Sequence, residues 1–192
     1  MMNTQETQIN WNAELRSQLE WHWTNQLRPR LTEMTDEEYF WEPVAGCWNV
    51  RPRGHGTAPV AAGGGAYTID FAIPEPEPAP VTTIAWRLGH LIVGVFGARN
   101  ASHFDGPAVD YETHDYAATA AEALDQLDAG YNCWIDGVTR LGHDGLTEKC
   151  GPAEGQFADW SMAALVLHIH REVIHHGAEI ALLRDLYAWR HA

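Results

Sequence analysis

The stretch His168–Tyr187, HIHREVIHHGAEIALLRDLY, is the part of the chain that decides both the fold and the candidate site. It carries four histidines and Glu172 before the apolar residues of its second half. Positions four apart lie on the same face of an α-helix, so His168, Glu172 and His176 form one stripe. His170 and His175 point elsewhere. This face either packs as a crowded helix surface or holds a metal ion.

Three further helices are predicted on the N-terminal side of this stretch. Leu15, Leu19, Trp23, Leu27 and Leu31 recur every four residues and predict a helix over about 11–34, with a kink or an end to its regular part at the proline of position 29. Further helices are predicted over about 82–103 and 116–141, and the last one from about 159–161 to 190. A short helical turn is predicted after the threonine at position 35, where TDEE has the pattern of a capping box.

Residues 42–80 hold most of the prolines and many of the glycines, and predict a long irregular connection with a brief strand near 66–73. We see one core and no internal repeat. The sequence therefore predicts a single domain over residues 1–192, of the all-α class: an antiparallel four-helix bundle with long irregular connections. The length of residues 42–80 permits some departure from simple up-down order.

Composition excludes several classes of function. The chain of 192 residues has a formal net charge of -14, which disfavours binding to nucleic acid or to an anionic membrane. No apolar run approaches the roughly 20 residues of a membrane-spanning helix. The polar N-terminus MMNTQETQINWNAEL lacks the pattern of a signal peptide. Cys47, Cys133 and Cys150 are too widely spaced to form a CxxC pair, so we expect neither a disulfide framework nor a cysteine zinc site. This use of cysteine favours a cytoplasmic location.

A helix offers a single metal ion two ligands at positions i and i+4, and a third ligand then comes from a facing helix. His90 is the candidate, because it lies in the otherwise apolar stretch WRLGHLIVG of the second helix, where an unpaired histidine is costly. The alternative is structural: buried histidines are often satisfied by one hydrogen bond, and His–Glu pairs are common on helix surfaces. The residue pattern alone leaves both interpretations open.

AWRLGH in the second helix together with HREVIHHGAEIALLRDLY in the fourth resembles the DinB/YfiT-like superfamily of four-helix-bundle metalloproteins. Within it, the chain is similar to the branch of mycothiol-dependent maleylpyruvate isomerase, and the segment from Trp41 to Pro52 is also familiar from this group. The resemblance covers nearly the whole chain. It implies that His90, Glu172 and His176 bind a divalent metal ion.

The resemblance also implies a chemistry. Two histidines and one carboxylate leave coordination positions open, which is typical of a catalytic metal site. Such an ion binds a low-molecular-weight thiol of the mycothiol type and activates it as the thiolate, which then attacks a small electrophile. The isomerase carries a further C-terminal domain that contributes to its active site, whereas this sequence ends at Ala192. We therefore expect a thiol S-transferase-like protein and not the isomerase activity itself.

Two alternatives stay open. The first is a metal-binding DinB-like protein without an established reaction. The second is a metal-dependent hydrolase, for which Glu179 is the candidate general base and an ordinary salt-bridge partner in the competing interpretation. Zinc is the favoured metal, but nickel, iron and manganese also accept mixed nitrogen and oxygen ligands. The remaining partners are predicted to be the thiol and the electrophile, and a homodimer is a further expectation.

Other residues are candidates for the pocket or for supporting the ligands. His168 is expected to line the pocket or to hold a ligating carboxylate, and is less favoured as a fourth ligand. Trp86 is a candidate wall of the pocket, although large aromatic residues in a bundle usually belong to the core. Arg51 is a candidate for binding the carboxylates of a thiol cofactor, with a solvated loop charge as the simpler alternative. Cys47 lacks a basic neighbour before Arg51, so we expect an inert thiol.

Overall fold

The computed structural model of the protein describes residues 9–192. The first part of the polar N-terminal segment, on which the prediction of no signal peptide rests, lies outside the described residues. Within residues 9–192 the chain is predominantly helical, with one small sheet, so the predicted all-α class is confirmed. No helix in this part of the chain combines the length and apolarity needed to cross a membrane.

Four long helices dominate the described residues, and two of them contain π-helical segments. The first long helix comprises Trp11–His22, the π-helical Trp23–Leu27 and Arg28–Arg30. The second comprises Ile84–His90, the π-helical Leu91–Gly97 and Ala98–His103. The third is Ala120–Gly145 and the fourth is Met162–Arg190. Two short helices complete the set: Asp36–Tyr39 and the 3₁₀ helix Pro152–Phe157.

The helix starts follow from side-chain caps that satisfy free backbone N–H groups. Thr35, Thr83 and Ser161 each accept a hydrogen bond from the backbone N–H three residues later, and the cap at Thr35 was predicted from its capping-box pattern. The third long helix begins later than position 116. There Thr119 is the cap, and Glu122 accepts from the backbone N–H of Ala118, which fixes the start at the capping residues.

The first long helix departs from α-helical geometry one turn before Pro29. Proline has no N–H to donate to the carbonyl four residues earlier, so a regular α-helix cannot continue unchanged around it. The π-helical segment Trp23–Leu27 occupies this turn, and its residues Trp23 and Leu27 are buried. The regular α-helical geometry therefore ends near Pro29, as predicted. The apolar face of the helix still packs against the core.

Contacts between the long helices define their directions. Asn12 donates to the carbonyl of Val138, while Arg28 pairs with Asp128, so the first and third long helices run antiparallel. Contacts of Arg87 with Glu179 and of His90 with His176 make the second and fourth antiparallel as well. Phe96 lies beside Gly130 and Phe104 beside Gly137, so the second and third are parallel. Leu27 beside Gly177 and Arg30 beside Asp185 make the first and fourth parallel.

The first and second long helices are therefore antiparallel, so the long connection of residues 42–80 keeps simple up-down order. The departure from that order lies between the second and third long helices, which are parallel and are joined by residues 104–119. Inside residues 42–80 the chain forms a three-stranded antiparallel sheet of β1 (Val50–Pro52), β2 (Val60–Ala62) and β3 (Tyr67–Phe71), in the order β1-β3-β2. Val50 pairs with Ile69, and Val60 pairs with Phe71. Only β3 corresponds to the predicted brief strand. The sheet packs against the start of the second long helix, next to the candidate site.

The core lies between the four long helices and continues under the sheet. Trp23 and Tyr131 stack with ring centroids 3.9 Å apart, and Phe96 contacts both rings edge-on. Small residues bring helices close together: a Cβ built on Gly137 would lie 2.2 Å from the Phe104 ring. A helix-to-helix approach of this kind holds the second long helix in a fixed position relative to its neighbours.

Candidate metal centre

His90, Glu172 and His176 come together between the second and fourth long helices. Each offers one ligand atom, and these atoms all lie within 4.8 Å of one another. The fourth helix places Glu172 and His176 one turn apart on one face, and His90 reaches them from the facing helix. The rings of His90 and His176 are nearly perpendicular, with centroids 4.8 Å apart. The grouping predicted from the sequence is thus present in the structure.

Glu179 and Arg87 fix the ring of His176. Nδ1 of His176 lies 2.7 Å from Glu179 Oε2, and the same carboxylate oxygen lies 2.7 Å from Arg87 Nη1. Arg87 Nη1 also lies 3.2 Å from Nδ1 of His176, but the Glu179 carboxylate is the closer partner. Since a carboxylate only accepts hydrogen bonds, Nδ1 of His176 carries the proton and donates it to Glu179. The ring nitrogen Nε2 is then unprotonated and free to bind a cation. This is the usual support of a metal-binding histidine.

Tyr111 and Trp86 fix the ring of His90. The Tyr111 hydroxyl lies 2.8 Å from His90 Nδ1, and Trp86 stacks on the imidazole at 5.6 Å between centroids. The Trp86 indole N–H donates to the carbonyl of Asp70 on β3, which couples the ring position to the sheet. Trp86 therefore supports His90. The hydroxyl of Tyr111 fits only because the facing helix residue is Gly94, where a Cβ would lie 2.2 Å from it.

Burial keeps the His90 imidazole neutral. Burial, together with the neighbouring His176, lowers the pKa of His90 to about 4, while Glu172 acts in the opposite direction. A neutral imidazole is the form that binds metal ions. The charge of Glu172 then leaves a ligand set with a net charge of -1, which does not neutralise a divalent ion.

Glu172 is half-buried, and His168 and Arg171 flank it. Glu172 Oε2 lies 3.5 Å from His176 Nε2, and Oε1 lies 3.4 Å from His168 Nδ1. Arg171 Nη2 lies 2.7 Å from that same His168 nitrogen. Since arginine only donates, His168 Nδ1 accepts and its proton is on Nε2. Burial lowers the pKa of His168, which favours this neutral form.

The other histidines of the fourth helix have different environments. His170 is buried away from the grouping, edge-on to Trp134, and burial lowers its pKa to about 4. His175 is exposed and lies 3.5 Å from Glu179. Within residues 9–192, His175, His176 and Glu179 form a second grouping of three ligand atoms. The pairing of Glu179 with Arg87 competes with a cation there, so the grouping with His90 is the better candidate.

A cavity of about 280 Å³ lies beside His168. His168 lines it while also contacting Glu172, so the cavity adjoins the candidate ligand set. Its walls include Phe157 and Trp160, two aromatic residues from the segment between the third and fourth long helices. Trp160 is thus the tryptophan that faces this cavity.

Arg51 and Cys47 have internal roles in the loop that carries the sheet. All three guanidinium nitrogens of Arg51 are engaged, by Asp70, Glu42 and the carbonyl of Cys47. Binding of a thiol cofactor's carboxylates by Arg51 stays a prediction. The Cys47 thiol is buried, and burial raises its pKa, as expected for an inert thiol.

Arg87 and Tyr111 belong to this centre although the residue pattern did not point to them. Arg87 lies three residues before His90, a spacing that puts the two on neighbouring parts of one helix face, and that signal was present. Tyr111 comes from the loop after the second long helix and offered no sequence signal. Glu179 was considered as a general base, but its contacts make it the partner of His176 and Arg87.

The chain was compared with known families, curated proteins and solved structures. The family model described as the DinB superfamily matches residues 18–180, a range that includes part or all of each long helix and the three candidate ligands. No curated protein and no solved structure matches the chain. With the match extending over most of the sequence, the chain belongs to the DinB superfamily.

Proposed function

We propose that this DinB-superfamily protein binds one divalent metal ion through His90, Glu172 and His176, and uses it to activate a low-molecular-weight thiol for attack on a small electrophile. The observation that carries the proposal is the support of the two imidazoles. Each histidine is engaged through Nδ1, by Glu179 in one case and by Tyr111 in the other. Both rings are thereby oriented to offer Nε2 as the ligand atom.

The donor set suits a divalent ion. Glu172 Oε2 and His176 Nε2 are 3.5 Å apart. Two ligands of a tetrahedral ion with bonds of about 2.1 Å are separated by roughly 3.4 Å, so this pair requires little movement. Two nitrogen ligands and one oxygen ligand favour zinc, and they also fit nickel, iron or manganese. The supporting carboxylate and hydroxyl hold the rings before any ion arrives.

The chemistry follows from charge and from open space. A divalent ion in this set would supply a net positive charge, which stabilises a bound thiol as its thiolate near neutral pH. The cavity lined by His168, a neighbour of Glu172, supplies room for the electrophile. His168 lies between the ligand set and the cavity, with its ring proton on Nε2 available to a bound molecule.

Hydrolysis is less well supported than thiol transfer. A metal-dependent hydrolase needs a general base beside the open coordination positions. Glu179, the candidate from the sequence, holds the Nδ1 side of His176 and is paired with Arg87. It therefore supports a ligand and does not face the ligand atoms.

Cobalt titration of metal-free protein tests the proposal. The wild type and the control variants Glu14→Gln and His143→Ala, which replace exposed residues, are expected to bind about one equivalent. Glu172→Gln and His176→Ala are expected to lose this binding. Mycothiol added to the cobalt protein should then produce a thiolate-to-cobalt absorption band, and mycothiol with an electrophile should yield a conjugate.

The outcomes separate the parts of the proposal. Cobalt binding that survives in both ligand variants overturns the metal site. Cobalt binding without any spectral response to a thiol leaves a metal-binding protein and overturns the thiol chemistry.

A further inference from the structure

The cavity beside His168 combines two cationic residues with apolar walls. Arg99 and Arg171 line it from the second and fourth long helices, and Phe157, Trp160 and Leu165 supply apolar surface. Within the described residues lining this cavity, Glu154 is the one acid. The cavity therefore has the composition of a site for an anion with an apolar body.

Glu154 offsets one of the two arginine charges, so the lining keeps a formal net charge of +1. Its carboxylate lies 3.0 Å from His103 Nε2 and 3.3 Å from Arg99 Nη2, and the Glu154 and His103 side chains are each only 8% exposed. These contacts occupy both carboxylate oxygens. They also anchor the 3₁₀ helix Pro152–Phe157 to the second long helix, so the aromatic wall is held in place without a ligand.

Arg99 keeps an unused donor. Its Nη1 donates to the carbonyl of Gly94 and its Nη2 contacts Glu154. Its Nε is buried and has no hydrogen-bond partner among the described residues. The Nε–H is shielded from solvent, so Arg99 attracts an anion in the cavity through its charge and through the remaining N–H groups of Nη1 and Nη2.

Arg171 at the rim is free to turn toward a ligand. Its one carboxylate contact, with Glu172, is long at 3.6 Å. Its Nη2 donates to His168, which places the ring proton of His168 on Nε2 as a further donor. Arginine side chains bind carboxylates through paired N–H groups, a geometry that a neutral ligand cannot use.

We propose that this cavity binds a small monocarboxylate with an apolar, preferably aromatic body. Its carboxylate is bound by Arg171 and Arg99, and its body lies against Phe157 and Trp160. The volume of about 280 Å³ is near the lower limit of ordinary ligand pockets, which restricts the ligand to a small molecule. Binding of such an acid stands independently, whereas its identification as the electrophilic substrate rests on the proposed function.

Calorimetric titration with 3-phenylpropionate and with its neutral amide tests the proposal, in chelator-treated and in metal-loaded protein. The acid is expected to bind in both forms, at least about tenfold more tightly than the amide. Arg171→Gln should weaken the acid about tenfold, whereas the matched exposed helical variant Arg140→Gln should not. Ala164→Leu, which fills the cavity, should abolish binding while thermal unfolding confirms the fold.

Each result decides the proposal. The proposal is overturned if the acid does not bind, or if acid and amide bind with equal affinity. It is also overturned if Arg171→Gln and Arg140→Gln have equal effects, or if Ala164→Leu leaves binding unchanged. Acid binding that appears only after metal loading also overturns it, because the arginines would then not be the source of affinity. Metal-free protein that binds the acid while the cobalt titration fails supports the cavity and rejects the metal site.

Discussion

Glu179 lies 2.7 Å from Nδ1 of His176, on the opposite side of the imidazole from the nitrogen that faces Glu172. The pair lies within one turn of the fourth long helix, so the helix itself brings the carboxylate to the ring. Arg87 of the facing helix holds the same carboxylate oxygen at 2.7 Å. A side chain that sequence spacing suggested as a general base thus positions a candidate ligand.

Glu179→Gln is expected to weaken metal binding by about 10- to 100-fold with little change in fold. The amide keeps the size of the side chain but removes the charge that holds the proton on Nδ1 of His176. Competition with a chromophoric chelator measures the affinity. Glu14→Gln serves as the control on an exposed helix position. An affinity equal to that of the wild type would show that Glu179 does not support the site.

Gly94→Ala is expected to destabilise the protein and weaken metal binding, because the new Cβ would lie 2.2 Å from the Tyr111 hydroxyl. Replacing glycine by alanine inside a helix ordinarily stabilises a protein by roughly 1 kcal/mol. A loss of unfolding free energy in Gly94→Ala would therefore indicate the contact with Tyr111. In a Tyr111→Phe background the clash with oxygen is gone, and the cost of Gly94→Ala should fall. Additive effects on stability in the double variant would contradict this contact.

Stability of the chelator-treated protein is expected to fall as pH decreases from about 6.5 toward 4. Burial lowers the pKa of His170 to about 4, so between these values the unfolded chain binds the proton that the folded chain excludes. The shift corresponds to at most about 3 kcal/mol. Urea unfolding at several pH values measures the dependence. His170→Gln should reduce the slope and leave the part due to His90, whose pKa burial also lowers to about 4. A slope as steep as that of the wild type would reject the assignment.

Arg184→Met is expected to cost about 3–5 kcal/mol of unfolding free energy. Arg184 pairs through two nitrogens with Glu38, whose side chain is 6% exposed, and donates to the carbonyls of Arg30 and Thr32. Loss of the guanidinium leaves the buried Glu38 carboxylate without a cationic partner. The double variant with Glu38→Gln should recover part of the loss in urea unfolding. A double variant less stable than the single one would show that the pair is not the main contribution.

The sequence by itself determined the helical class and the ligand stripe. Helical spacing places His168, Glu172 and His176 on one face whatever the neighbours are, and capping by Thr83 and Ser161 depends only on residues three positions away. His90 was visible because a histidine inside an apolar helix needs a partner. These are local properties, set within one or two helical turns.

Tertiary structure alone decided which residues support the ligands and what adjoins them. Tyr111 reaches His90 from a loop, and the carboxylate of Glu154 is shared by two residues of another helix. The parallel packing of the second and third long helices and the strands β1 and β2 likewise have no local signature. Such contacts join residues far apart in the chain, and their energies depend on the packing of the whole core, which no short stretch of sequence encodes.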